Sequence, residues 1–410
     1  MITKCGLLGE KLGHSYSKQI HASIAPYEYN LHAVPREEAE RMIKSGEFLG
    51  LNVTIPYKEL AYSLCDELDD FAREAKSVNT VIWENGKILG FNTDVFGFIS
   101  MVERAGISFA GKNVLILGSG GTSKTAQVAA KSMGATKISV CSRGGEINYD
   151  NVTSLCETEI IVNTTPVGMY PKNGVSPIEL SDFPKCEGVV DVIYNPEKTR
   201  LILDAEARGI RNTSGLYMLA AQAFRASEIF QRKSLPAELI EKANDEVARA
   251  MRNIVLIGMP GSGKSTVAAL LAEKLGRKAI DTDAEIEKKY GSPRDIITEK
   301  GESEFRRIET EILAEVARES GLIIATGGGI VEREENRALL SQNGKVYLIM
   351  RELSSLATDG RPLSTDVAAL FERRREKYLR FSDAKIDNNS SPENAAEQII
   401  ADFFGNSAKI

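Results

Sequence analysis

Short apolar runs that end in glycine recur along the chain: KNVLILGSGG over 112–121, RNIVLIGMPGSGKS over 252–265 and GLIIATGGG over 321–329. Unbroken Val, Ile and Leu, without the alternation of a half-exposed strand, predicts parallel strands buried on both faces. The first two runs lead into TSKTAQVAAKSMG (122–134) and STVAALLAEKLG (265–276), whose apolar residues recur at helical spacing. Strand, glycine turn and helix in succession predict an α/β chain built on open parallel sheets. Two such glycine turns predict two nucleotide sites on two separate sheets. A charged helical stretch, PAELIEKANDEVARAMR (236–252), runs straight into the apolar strand NIVLIG, so the boundary between the halves is expected at 249–252 with hardly any linker. Met251 stands where a free-standing second half could begin.

Composition narrows the partners. The chain has 410 residues, 42% hydrophobic and 26% charged, which predicts two or three globular domains. With 51 basic against 57 acidic residues the net charge is −6, and no segment gathers Lys and Arg into a nucleic-acid groove. No apolar run reaches the ~18 residues that span a bilayer, and residues 1–30 lack the apolar stretch of a signal peptide. Small-molecule substrates, a cytoplasmic location and a monomer or homodimer are the expectation, with no nucleic acid and no membrane. The five cysteines, all before residue 190 and without CxxC spacing, read as reduced and mostly buried thiols.

The chemistry begins at the glycine turns. Gly118, Gly120 and Gly121 lie between a strand and a helix, with Ser123 where a third fingerprint glycine would stand. Glycines there let the backbone approach a pyrophosphate, which the helix amides hold. The next strand, KISVCSR, ends in Ser142-Arg143 rather than in an acidic residue, which suits the 2′-phosphate of NADP better than the ribose of NAD. In the second half GMPGSGKS matches the P-loop pattern in its strand-to-helix context. Gly258, Gly261, Ser262, Gly263 and Thr266 would cradle the phosphates of ATP, Lys264 would meet the β and γ oxygens, and Ser265 would bind Mg²⁺.

Around these turns stand GEKLGHSYS (9–17), LNVTIPYK (51–58), SVNTV (77–81), GFNTDVFG (90–97), NTTPVGM (163–169), DVIYNP (191–196) and GLYMLAAQ (215–222). In this order and spacing they resemble shikimate dehydrogenases. Carbonyl reduction by hydride leaves an alkoxide that needs a proton, and Lys58 with Asp94 fits that role. The resemblance implies that Ser15, Ser17 and Tyr194 hold the substrate carboxylate, that Thr54, Asn79, Asp94 and Gln222 contact ring hydroxyls, and that Gly215 borders the cofactor. Two positions depart from the family: Lys18 replaces a proline, and CSRGG replaces its Asn-Arg-Thr cofactor clamp while keeping the arginine.

The second half continues with AIDTDAEI (279–286), GESEFRRIE (301–309), ATGGGIV (325–331), GRPLS (360–364) and RRREKY (373–378), a series similar to shikimate kinases. That resemblance implies Asp281 supporting Mg²⁺, Asp283 orienting the attacking hydroxyl, Arg306 and Arg374 gripping the shikimate carboxylate, and Gly327, Gly328 and Gly329 lining the ring. Arg361 would close from a lid that is shorter than usual. Together the resemblances imply an α/β substrate domain (1–100, with helices of 216–250 packing back), a Rossmann-like NADP domain (101–215) and a P-loop kinase domain with a parallel sheet (252–410). They imply NADPH-dependent reduction of 3-dehydroshikimate and ATP-dependent phosphorylation of shikimate, on the route to chorismate and aromatic amino acids. The alternative is a quinate/shikimate dehydrogenase joined to a regulatory or weakly active kinase domain.

Overall fold

The computed structural model describes residues 4–13, 15–356 and 367–405. The chain divides into two compact units, Met1–Ala248 and Arg249–Ile410. The first unit holds two sheets. One contains β1 (Lys4–Gly9), β2 (Glu28–Ala33), β3 (Gly50–Val53), β4 (Glu67–Leu68), β5 (Thr80–Glu84) and β6 (Lys87–Phe91), in the order β2-β1-β3-β5-β6-β4. Strand β5 runs antiparallel to both β3 and β6, so this sheet, which contains none of the three apolar runs, is mixed. The cause is local: Asn85 and Gly86 both adopt positive φ (51° and 77°), the geometry of a two-residue hairpin turn.

The second sheet is wholly parallel, with β7 (Asn113–Leu117), β8 (Lys137–Cys141), β9 (Ile160–Asn163), β10 (Gly188–Asp191) and β11 (Arg211–Ser214) in the order β11-β10-β9-β7-β8. This is a doubly wound, Rossmann-like arrangement whose strand order reverses between β7 and β9. The helix Leu216–Gln231 packs along the helix Thr93–Arg104. Its Ala226 and Phe230 share a buried cluster with Cys5, Leu7, Tyr29 and Ile82 of the first sheet. All five cysteines are free; Cys5, Cys141 and Cys186 are buried and Cys156 is exposed.

The second unit is built on β12 (Asn253–Ile257), β13 (Ala279–Asp281), β14 (Ile323–Ala325), β15 (Gly344–Met350) and β16 (Ala384–Asp387), all parallel, in the order β13-β14-β12-β15-β16. Central β12 is buried at every position, and its alternate residues feed two cores: Val255 and Ile257 face one side, Ile254 and Leu256 the other. No helix among the described residues is long and apolar enough to cross a membrane.

Asn253 starts β12 as a side-chain staple. Its amide donates to Glu319 O at 2.8 Å and its carbonyl accepts from Leu322 N at 2.8 Å, with 1% of the residue exposed. Asn253→Ala leaves the buried Leu322 N–H without its partner and removes one of the two side-chain amides that donate to Glu319 O, and should lower the stability of the second unit by about 1–3 kcal/mol. Denaturant unfolding that leaves this unit's transition unmoved would contradict the assignment.

Candidate functional sites in the two units

In the first unit a cavity of about 550 Å³ opens at the carboxyl ends of the strands. Ser15, Ser17, Thr54, Lys58, Asn79, Asp94, Tyr194, Gly215 and Gln222 all line it, so the structure brings together residues drawn from six of the seven sequence segments. Lys58 opens the helix Lys58–Leu64 and Asp94 lies in the first turn of the helix Thr93–Arg104, whose positive end favours a carboxylate. Lys58 Nζ donates to Asp94 Oδ2 at 2.6 Å. Asn79 fixes the other carboxylate oxygen, its Nδ2 reaching Asp94 Oδ1 at 2.9 Å and Gln222 Oε1 at 3.4 Å. Asn79 Oδ1 accepts from Thr93 N at 2.8 Å, so one side chain ties the helix start to β5. Ser15 Oγ accepts from Ser17 N at 3.3 Å and therefore caps a turn as well as lining the cavity. Tyr16 meets Tyr194 edge to face, with ring centroids 6.4 Å apart.

Two buried groups escaped the sequence reading. His21 lines the cavity floor, stacked on Tyr29 at 3.9 Å and bonded through Nδ1 to Tyr27 Oη at 2.6 Å. Burial pushes its imidazole down to about 3, so it is neutral near pH 7. Asp191, wholly buried at the end of β10, accepts from Thr199 Oγ1 (2.7 Å), Ile193 N (3.0 Å) and Asn163 Nδ2 (3.1 Å), and burial lifts its carboxyl to about 6. Asn163 in turn accepts from Thr165 N at 3.0 Å, so Asp191 organises the strand ends beside the cavity. Asp191 carries no signal in sequence beyond its segment DVIYNP, and His21 lies outside all seven segments.

Gly118, Gly120, Gly121, Ser142 and Arg143 do not line this cavity; they follow β7 and β8. A Cβ on Gly120 or Gly121 would meet no atom within 4 Å, so the turn that begins the helix Gly121–Ser132 is open on its side-chain side, and a helix start of this kind can hold a pyrophosphate through its amides. Arg143 is exposed and makes no hydrogen bond or ion pair among the described residues.

The second unit has a cavity of about 480 Å³ lined by Gly261, Gly263, Lys264, Ser265, Thr266, Asp281, Asp283, Arg306, Gly327, Gly328, Gly329, Arg351 and Arg374, among others. Gly258 and Ser262 are part of the turn but not of this lining. Lys264 Nζ donates to the carbonyls of Gly258 and Met259, each at 3.0 Å. Ser265 Oγ donates to Asp281 Oδ2 at 2.5 Å, which places two hard oxygens side by side; with phosphate and water they make a donor set that fits Mg²⁺. Arg306 is held by Glu309 at 2.8 Å, and Arg374 by Glu332 at 2.7 Å and by Gly328 O at 3.1 Å. Arg306 Nε and Arg374 Nη2 are buried without a partner, two donors able to receive a carboxylate. A Cβ on Gly329 would lie 1.9 Å from Arg306 Nη1, and one on Gly327 2.6 Å from Asp283 Oδ1, so only glycine lets this turn sit so close to the charged groups. Burial holds the Glu309 carboxyl above the usual range despite Arg306. Glu309, Glu332 and Arg351 were missed in sequence, where each is one charge among many. Arg361 lies outside the described residues.

A lysine–carboxylate pair beside a doubly wound sheet, and a P-loop beside two buried arginines, define an oxidoreductase of the dinucleotide type joined to a P-loop phosphotransferase. The shikimate dehydrogenase substrate binding domain model matches residues 7–81, and the shikimate kinase model matches residues 260–403. The chain is 34% identical to the shikimate dehydrogenase (NADP(+)) of Clostridium perfringens (strain 13 / Type A), over 58% of this chain and 97% of that protein. It is 33% identical to the same enzyme of Methanopyrus kandleri, over 58% of this chain and 93% of that one. Among solved structures it is similar to a chorismate mutase/shikimate 5-dehydrogenase fusion protein from Clostridium acetobutylicum, with 34% identity, TM-score 0.57, 60% of this chain and 97% of that chain covered. A further similar structure is the shikimate 5-dehydrogenase of Thermus thermophilus in complex with NADP(H) and shikimate, with 27% identity, TM-score 0.54, and 60% and 99% covered. The chain belongs to the shikimate dehydrogenase family, and its second unit is a shikimate kinase domain.

Glu332 accepts from three cations, Arg373, Arg374 and Lys377. Burial raises its carboxyl, but the bonds from Lys377 and Arg374 outweigh this and leave it at about 2. A folded pKa below the unfolded value stabilises the fold above the unfolded pKa, and that stability is lost as pH falls toward 2. Glu332→Gln should therefore cost about 1–2 kcal/mol at pH 7, less than the whole shift because solvent screens the partly exposed carboxylate, with the gap to the parent closing between about pH 4.5 and 2. A pH-independent difference in unfolding free energy would refute this.

Proposed function

We propose that the first unit reduces 3-dehydroshikimate to shikimate with NADPH and that the second phosphorylates the shikimate 3-hydroxyl with MgATP. The observation that carries this reading is that the families of the two units act on one molecule, so the product of one site is the substrate of the other. The Gly118–Gly121 turn would hold NADPH, which would supply the hydride. Lys58, paired with Asp94 at 2.6 Å, gives its proton to the oxygen that the hydride leaves anionic. Asn79 and Gln222 hold Asp94 and the ring hydroxyls in register, and Ser15, Ser17 and Tyr194 take the carboxylate. Arg143 favours NADPH by pairing with its 2′-phosphate.

In the second unit Arg306 and Arg374 offer their buried spare donors to the shikimate carboxylate. Asp283 orients the attacking hydroxyl, Lys264 and Arg361 balance the charge of the transferring phosphoryl group, and Ser265 with Asp281 holds Mg²⁺. Both substrates are small soluble anions, in keeping with a cytoplasmic enzyme.

Lys58→Ala should lower reduction of 3-dehydroshikimate by about 10²–10⁴-fold and leave phosphorylation of added shikimate intact. Near-normal NADPH oxidation by this variant would remove Lys58 from the proton path. Arg143→Ala should weaken NADPH at least ~10-fold more than NADH, the scale of a hydrogen bond to a charged group. Equal changes in the two KM values would show that Arg143 does not read the 2′-phosphate.

A further inference from the structure

Four cations line the cavity of the second unit: Lys264, Arg306, Arg351 and Arg374. Three are committed. Lys264 bonds to P-loop carbonyls, Arg306 is paired with Glu302 and Glu309, and Arg374 is paired with Glu332. Arg351 is exposed and makes no hydrogen bond or ion pair among the described residues. Its root is nevertheless fixed. Met350 O accepts from Asn388 N at 2.8 Å, and Glu352 N donates to Asn389 Oδ1 at 2.7 Å, so the residues on either side are anchored. Asn388 also reaches the P-loop, donating through Nδ2 to Ser262 O at 2.7 Å. Strand β15 lies against the same turn, where Ile349 O comes within 2.6 Å of the point a Gly258 Cβ would occupy. Arg351 thus leaves the carboxyl end of the strand next to β12, in the crevice where open α/β sheets take ligands. No Lys or Arg occurs over 352–360, so the nearest basic residue on its C-terminal side is Arg361.

We propose that Arg351 is a nucleotide-binding residue of the second unit, its guanidinium taking phosphate oxygens of the nucleoside triphosphate held by the P-loop. This rests on the phosphotransferase reading above. A held backbone with an uncommitted, charged head suits a group that binds only when an anion arrives. The other arginines are neutralised by carboxylates, whereas Arg351 brings uncompensated positive charge to a cavity that must accept a polyphosphate.

The test uses the full chain, with the parent, Arg351→Ala and Arg351→Lys compared in shikimate phosphorylation and in equilibrium binding of MgATP without shikimate. Arg351→Ala should raise both the KM and the Kd for MgATP by ~10-fold or more, with the KM for shikimate unchanged. Arg351→Lys, which keeps a point charge, should recover most of the loss. Unchanged MgATP affinity in Arg351→Ala, or a lysine variant no better than the alanine one, would overturn the proposal while leaving the kinase reading intact. A parent chain that binds no MgATP would instead overturn the kinase reading itself.

Discussion

Gly118 and Gly258 each follow the last residue of a central parallel strand with positive φ, 109° and 144°. At each point the chain must leave the sheet and enter a helix within a few residues. A side chain would strain that backbone and also strike a neighbour, Thr164 Oγ1 at 2.8 Å in one case and Ile349 O at 2.6 Å in the other. The turn therefore stays bare of side chains at the point where the helix begins. Everything else about the two sites is arranged around this one local requirement. The substrate pockets open at the same carboxyl edges, because that is where the strands stop and their loops diverge.

The units differ in how they store charge beside that edge. The first keeps a single ion pair, Lys58 with Asp94, at the mouth of its cavity, and braces the carboxylate with the Asn79 amide. The second buries two guanidinium groups, and a buried charge is tolerated only when paired. Glu309 and Glu332 meet that demand without using every donor, which leaves Arg306 Nε and Arg374 Nη2 directed at no protein atom. Carboxylate partners thus do two things at once: they make burial of the arginines possible and they leave one donor of each arginine unused.

Much of this was legible in sequence where chemistry is tied to spacing. The glycine turns, the P-loop, and Lys58 and Asp94 within their segments all sit where their patterns place them, because those patterns encode backbone geometry over a few residues. The mixed first sheet was not foreseen, although Asn85-Gly86 between TVIWE and KILGF is a hairpin signal. The apolar runs drew attention to strands that continue into helices, and a hairpin has no such continuation. Glu309, Glu332, His21 and Asp191 were not legible for a different reason. Each acquires its role from a partner far along the chain or from complete burial, and neither appears in local pattern.

The central claim is that one chain carries two consecutive reactions on one ring. A single incubation of the purified full chain with 3-dehydroshikimate, NADPH and MgATP tests it, with NADPH absorbance and ADP release followed together. The account predicts that NADPH is consumed and that ADP appears with it, one for one, as the shikimate formed is phosphorylated. NADPH oxidation without ADP, or no oxidation while added shikimate is still phosphorylated, would contradict it.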